Sequence, residues 1–149
     1  MIRAIFISTI VLFFGCSSDS SLPYELRLTP SGLGAIKIDT PLDKIPSTLV
    51  GFETNKLYPI SPQIDEIIFE LTRADAKIAH IIYDTNREKI SQIHILSKEI
   101  LTSKNDAISQ TISDDAICEA NICYYSDEPS IFLEILDNKE IAQIYYKEP

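Results

Sequence analysis

The chain has 149 residues, a formal net charge of −9 from 22 acidic against 13 basic side chains, and a 45% hydrophobic composition. That length suits one domain able to bury its own core. The acidic balance repels phosphate backbones and anionic head groups, so nucleic acid is not an expected partner, while a basic protein is compatible with the charge. Acidity of this kind is also common in ordinary soluble domains, and solubility is the favoured reading.

In chain order, the first element is a segment to be removed. Arg3 precedes an uncharged run over residues 4–14. The run is shorter than the span of about 20 apolar residues that crosses a bilayer as a helix, and it fits the apolar region of a signal peptide. Residues 13–16 read Phe-Phe-Gly-Cys. A bulky Phe13 disfavours a general secretory cut, and the stretch resembles a bacterial lipoprotein signal. The resemblance implies that residues 1–15 are removed and that Cys16 takes lipid on its sulfur as the first mature residue. Residues 16–23 then tether the lipid to a domain over 24–149. A free signal anchor or a misplaced start is the alternative. Loss of Arg3 with the signal takes the net charge from −9 to −10. Each buried acyl CH₂ contributes about 0.8 kcal/mol, so several chains make a lasting anchor.

From Tyr24 the pattern is extended, with Leu26 and Leu28 alternating with Glu25, Arg27 and Thr29. Gly32 and Gly34 permit turn geometry at positive φ, after which Ala35, Ile36 and Ile38 resume a strand. Thr40 is placed as a helix N-cap, with Pro41 at the first helical position and Asp43 in the first turn. Pro46 keeps that helix short. "IDEIIFELTR" puts Ile67, Phe69 and Leu71 on one strand face, opposite Glu66, Ile68 and Glu70. "AKIAHIIYD" and "KISQIHILS" flank the turn "TNRE". Ser103 or Asn105 is placed to cap a second short helix carrying Ala107, Ile108 and Ile112. "NICYYS", "SIFLEIL" and "EIAQIYYK" give three more strands, the last two joined by "DNKE".

These elements amount to an α+β domain, a mostly antiparallel β-sheet with two short helices. The hairpins "IAHIIYDTNREKISQIHI" and "IFLEILDNKEIAQIYY" align with Ile93 against Ile144, which suggests two repeated helix-plus-three-strand-meander units. Chance similarity between Ile-rich hairpins is the alternative. The alignment predicts that Ile93 and Ile144 are both buried. A binding surface would lie on the opposite sheet face or along an exposed edge.

Outside the cytoplasm, Cys118 and Cys123 in "CEANIC" are expected to form a disulfide. A metal reading fails for want of ligands, since His80 and His94 are the only histidines and zinc needs four donors at a fixed spacing. A redox reading would want C-x-x-C at a helix start. The sequence shows no Gly-rich phosphate loop, no G-x-S-x-G and no H-E-x-x-H, so no catalytic residue, cofactor or metal is expected. His80, on a face with Ile78 and Ile82, and His94, among isoleucines, read as sheet-surface or satisfied core residues. Asp114-Asp115 and Asp127-Glu128 read as turn and cap residues. Tyr124-Tyr125 and Tyr145-Tyr146 place one ring on each strand face; cross-strand packing is the favoured reading of the outward ring, a binding patch the other.

"GLGAIKIDTPLDKI", "DTNREKISQIHILS", the paired cysteines, "PSIFLEIL" and "IAQIYYKEP" together resemble the small sigma-E (RpoE)-regulated outer-membrane lipoproteins, a family of unknown function. The resemblance implies an envelope-stress context and attachment to the outer membrane from the periplasmic side. Ser17 after Cys16, in place of Asp, is similar to the outer-membrane sorting pattern. The expected function is that of a non-enzymatic periplasm-facing lipoprotein, joined to the membrane by its N-terminal lipid, with a protein-binding or envelope-support role toward an unidentified protein partner. The alternative is an inhibitor of a periplasmic hydrolase such as lysozyme; an enzyme proper comes third.

Overall fold

A computed structural model describes residues 26–57 and 65–148. The signal segment 1–15, Cys16, the tether over 16–23 and Tyr24 lie outside the described residues. Three short strands come first, β1 (Arg27–Thr29), β2 (Gly32–Leu33) and β3 (Ile36–Lys37), then one helical turn, α1 (Ile45–Thr48). A long meander follows, with β4 (Glu53–Leu57), β5 (Glu66–Arg73), β6 (Ala76–Asp84) and β7 (Lys89–Ile95). After β8 (Leu101–Thr102) comes a second meander of β9 (Ile117–Glu119), β10 (Ile122–Tyr125), β11 (Glu128–Ile135) and β12 (Ile141–Lys147).

The strands form two sheets. The larger has the order β4-β5-β6-β7-β12-β11-β10-β9, and the smaller β3-β2-β1-β8. The two meanders therefore meet along β7 and β12, which pair antiparallel with Tyr145 opposite His94. In the small sheet β1 pairs antiparallel with β2 and parallel with β8, bringing Leu28 beside Thr102. One core cluster joins both sheets. Leu28, Leu33, Ile36 and Ile45 lie in it with Ile81, Ile93, Leu133, Ile141 and Ile144. Ile93 and Ile144 are both buried, as the hairpin alignment predicts.

The α+β expectation is overturned: the domain is mostly β, and α1 is the one helix among the described residues. Thr40 does not cap it. Its hydroxyl oxygen instead accepts the Lys37 amide at 2.8 Å, while its own amide donates to the Lys37 carbonyl, so the side chain closes a turn behind it. The chain makes another turn from Pro41 to Lys44 before helical bonding starts. The N-cap is Lys44, and it is Pro46, not Pro41, that occupies the first helical turn.

The second expected helix is absent for a similar reason. Asn105 and Ser109 both have φ near +70°, a left-handed geometry that interrupts any right-handed helix. The backbone groups that would bond along a helix go elsewhere: the Ser109 and Ile112 amides donate to the carbonyls of Ile141 and Lys139, and the Ile141 amide donates to Gln110. Residues 109–112 thus extend the sheet alongside β12. With both helices revised, the helix-plus-meander units are revised too; each half of the large sheet is a four-stranded meander.

A further correction concerns Ile78. Its expected face is that of His80, but the β5–β6 register shifts so that Leu71 faces Ala79 and Thr72 faces Lys77. Ile78 is the extra residue of this bulge and turns into the core, where it is 2% exposed.

Candidate functional site

Because side chains alternate along a strand, burying one face of the large sheet leaves the other outward. That outward face carries a continuous row with one residue from each of its eight strands. Asn55 on β4 faces Glu70, and Glu70 faces His80. His80 faces His94, and His94 faces Tyr145 across the seam. Tyr145 faces Phe132, whose ring touches that of Tyr124, and Tyr124 faces Ile117 on β9. None of these residues belongs to the core cluster.

The middle of the row is a ladder of rings. His94 and Tyr145 stack with centroids 5.5 Å apart and planes 17° from parallel; Tyr145 and Phe132 repeat the geometry at 5.5 Å and 20°. Phe132 and Tyr124 are tilted at 6.4 Å. Each such pair contributes about 0.5–1.5 kcal/mol beyond simple burial. The partner of each outward, half-buried tyrosine in its pair, Tyr125 and Tyr146, points into the core, so the expected division of Tyr124-Tyr125 and Tyr145-Tyr146 between faces holds.

Beyond the rings the row becomes ionic. A Glu70 carboxylate oxygen lies 2.7 Å from Lys77 Nζ and 3.2 Å from His80 Nε2. The hydrogen bond from Lys77, followed by that from His80, holds the Glu70 carboxyl below its ordinary value of 4.5. His94 lies 3.1 Å by Nε2 from the Gln92 amide oxygen, to which the Nε2–H tautomer donates. Burial, and secondarily the charge on His80, lowers the His94 pKa below 6.5.

This shift gives a testable pH dependence. A histidine whose folded pKa lies below its unfolded value binds fewer protons when folded, so its contribution to stability is full above 6.5 and is lost as pH falls through the window beneath. The loss from protonating Glu70 lies lower, beneath 4.5. The His94 ring protons are expected to titrate in an NMR series with a midpoint below 6.5, and a midpoint at or above it would refute the assignment.

Beside the ladder, the two meanders part. β7 runs out toward Leu96, whose amide turns to the Ile78 carbonyl, while Ile141 at the start of β12 bonds to residue 110. The gap is a cavity of about 330 Å³ between His94, Ile95 and Leu96 on one wall and Ala142, Gln143 and Ile144 on the other, with Ile108 also lining it.

At the far end of the row, Cys118 and Cys123 form a disulfide across the β9–β10 hairpin, directly opposite one another. Closing so short a loop contributes about 2 kcal/mol by loss of unfolded-state entropy. Cys123 is fully buried and Cys118 exposed, which ties the edge strand to the core. Gly32 and Gly34 adopt positive φ, as expected, in the small sheet and away from this face. Asp114, Asp115 and Asp127 are exposed and Glu128 half-buried. Among the described residues no three His, Cys, Asp or Glu side chains converge as a metal site would require.

The sequence reading missed two constellations. One is the ionic half of the row, Glu70, His80 and Lys77, whose only signal was the presence of polar residues on the outward positions of adjacent strands. The other is buried. Asp106 accepts the Thr102 hydroxyl and the Tyr125 phenol, both at 3.1 Å, and its amide donates to Thr102 Oγ1. Burial, and then the Asp106 carboxylate, pushes the Tyr125 phenol well above its usual range. This network fixes the turn at 102–106 beneath β10, a structural role. What the row offers chemically is aromatic rings, amides and the Glu70 carboxylate paired with Lys77. That set suits adhesion to a partner.

No family model matches the chain, and no curated protein matches it. Among solved structures, the fold is similar to that in the crystal structure of the uncharacterized protein yfeY from Escherichia coli, with a TM-score of 0.62 and 17% identity over 82% of this chain and 99% of that one. At that identity the likeness concerns the fold alone.

Proposed function

We propose that the chain is a lipid-anchored lipoprotein on the periplasmic side of the outer membrane, which binds a protein partner through the open face of its large sheet in support of the cell envelope. The observation that carries the binding role is the row from Asn55 to Ile117. It is a strip of half-buried rings with an ionic end, on a face that contributes nothing to the core. Aromatic residues in that setting are enriched at protein interfaces because they bury a large area while ordering few torsions. The anchor reading is supported by the lipoprotein-like signal ending at Cys16 and by the segments that resemble the sigma-E-regulated lipoproteins. The net charge of −10 that remains once Arg3 is removed with the signal is compatible with a partner carrying a basic surface.

The two parts are tested separately. Cys16→Ser is expected to leave an uncleaved precursor that no longer enters the detergent phase; processing and lipid binding that persist would remove the anchor. For the face, a photoreactive residue in place of Phe132 or Tyr145 is expected to give one adduct of constant mass in intact envelopes, and the same residue at the exposed Lys98 is expected to give none. Absence of any adduct from either face position would sink the binding site. An adduct with a lysozyme-type hydrolase would turn the reading toward inhibition.

A further inference from the structure

A second apolar feature lies away from the open face. After α1 the chain passes through Leu49, Val50, Gly51 and Phe52 before entering β4. Val50 is 93% exposed, more than any other large hydrophobic side chain among the described residues. Gly51, at φ +83° and with open space around it, turns the tip outward. Phe52 anchors the base of the loop, with the Arg73 guanidinium carbon 5.7 Å above its ring. Leu49, Val50 and Phe52 rim a cavity of about 310 Å³ that Leu26 and Ala35 also line.

The position of Leu26 gives the feature its meaning. It directly precedes β1 and lines the same cavity as the loop, so the chain leading from Cys16 passes into β1 beside Leu49 and Val50. Cys16 and Leu26 are ten residues apart, a distance that even a fully extended chain bridges only up to about 35 Å. A lipid on Cys16 therefore keeps the loop within reach of the bilayer surface.

We infer that the loop 49–52 is a membrane contact, with Val50 at its tip entering the boundary between head groups and acyl chains of the membrane that holds Cys16, while Leu49 and Phe52 stay packed against the core. The inference rests on the anchor reading. An apolar side chain that stands in water makes few contacts within the domain, so moving it into lipid sacrifices little packing and removes apolar surface from water. The net charge of −10 on the processed chain offers no attraction to anionic head groups. The contact consequently depends on the tether, which raises the local concentration of lipid around the loop.

The chain contains no Trp, so Val50→Trp creates a single emitter at the tip, and Leu136→Trp, at an exposed position in the turn before β12 and five strands across the large sheet from β4, creates its control. Each variant of the lipidated full chain is reconstituted into vesicles of phosphatidylethanolamine and phosphatidylglycerol. With Val50→Trp the emission is expected to shift to the blue, to lose quenching by iodide and to gain quenching by brominated acyl chains, while Leu136→Trp keeps its iodide quenching. If both variants float with the vesicles but the two indoles are quenched alike by iodide or alike by bromolipid, the loop contact is overturned and the anchor stands. If neither variant floats with the vesicles, the anchor falls and the loop contact falls with it.

Discussion

Replacing Gly32 with Ala is expected to be among the most destabilising substitutions of a small residue in this chain. Gly32 has φ +139°, and a Cβ built on it would meet the Ile36 carbonyl oxygen at 2.0 Å and the Lys37 Cα at 2.9 Å. Both are backbone atoms, so no side-chain rotation relieves the clash. The β2–β3 pairing of Gly32 with Lys37 must open, and it is that pairing which sets Leu33 opposite Ile36, both fully buried. Backbone strain of about 1–3 kcal/mol and overpacking of about 1–3 kcal/mol then act together. Against a total stability of about 5–15 kcal/mol, the loss is large. Gly51→Ala is the control, since Gly51 also has positive φ but nothing lies within 4 Å of its Cβ position. Only the left-handed strain of about 1–2 kcal/mol applies there. Urea denaturation of the two variants measures the difference, and equal losses would show that the clash is relieved by a route the backbone does not suggest.

The second large effect is at the seam. Ile93 on β7 and Ile144 on β12 are 0% and 1% exposed. Truncating either to Ala removes apolar burial at the junction of the two meanders and leaves a cavity between paired strands that cannot collapse far. Each is expected to cost about 2–5 kcal/mol. Ile144 faces Ile95, and Ile93 faces Tyr146, so the two sites are diagonal neighbours and the double variant should deviate from additivity. The measurement is the denaturation midpoint at unchanged slope. A loss below about 1 kcal/mol at either position would mean that the seam repacks, contrary to the close packing expected of a core.

The hairpins were legible because their signals are local. Alternation at Phe69 and Leu71, and the turn residues of "TNRE" and "DNKE", act within a few positions, and β5–β6–β7 and β11–β12 fall where those signals put them. The helices were misread for a physical reason that the same residues supply. Thr40 and the polar residues at 102–106 are short side chains that bond to nearby backbone, and this chemistry serves a turn as readily as a helix cap. A run that is too short to sustain a helix by itself is decided by its tertiary partners, and here the partner of residues 109–112 is β12.

The candidate site was legible only in pieces. The outward tyrosines could be named, but a row exists only once strands are placed side by side, and His94 meets Tyr145 across fifty residues of intervening chain. No periodicity within either strand encodes that neighbour. The parallel pairing of β1 with β8 is hidden in the same way. The disulfide was readable because its two ends are close in sequence and the hairpin between them is local.

The two ends of the large sheet carry a consequence for crowding. Sheet edges are where one molecule can template the next, and long, flat, apolar edges grow into fibres. Here one end is β9, three residues long and clamped to β10 by the disulfide. The other is β4, which presents Glu53, Asn55 and Lys56 to water. Neither offers a neighbouring copy a length of apolar strand to lengthen. The edges of the large sheet are therefore poor templates for strand-by-strand growth from one copy to the next.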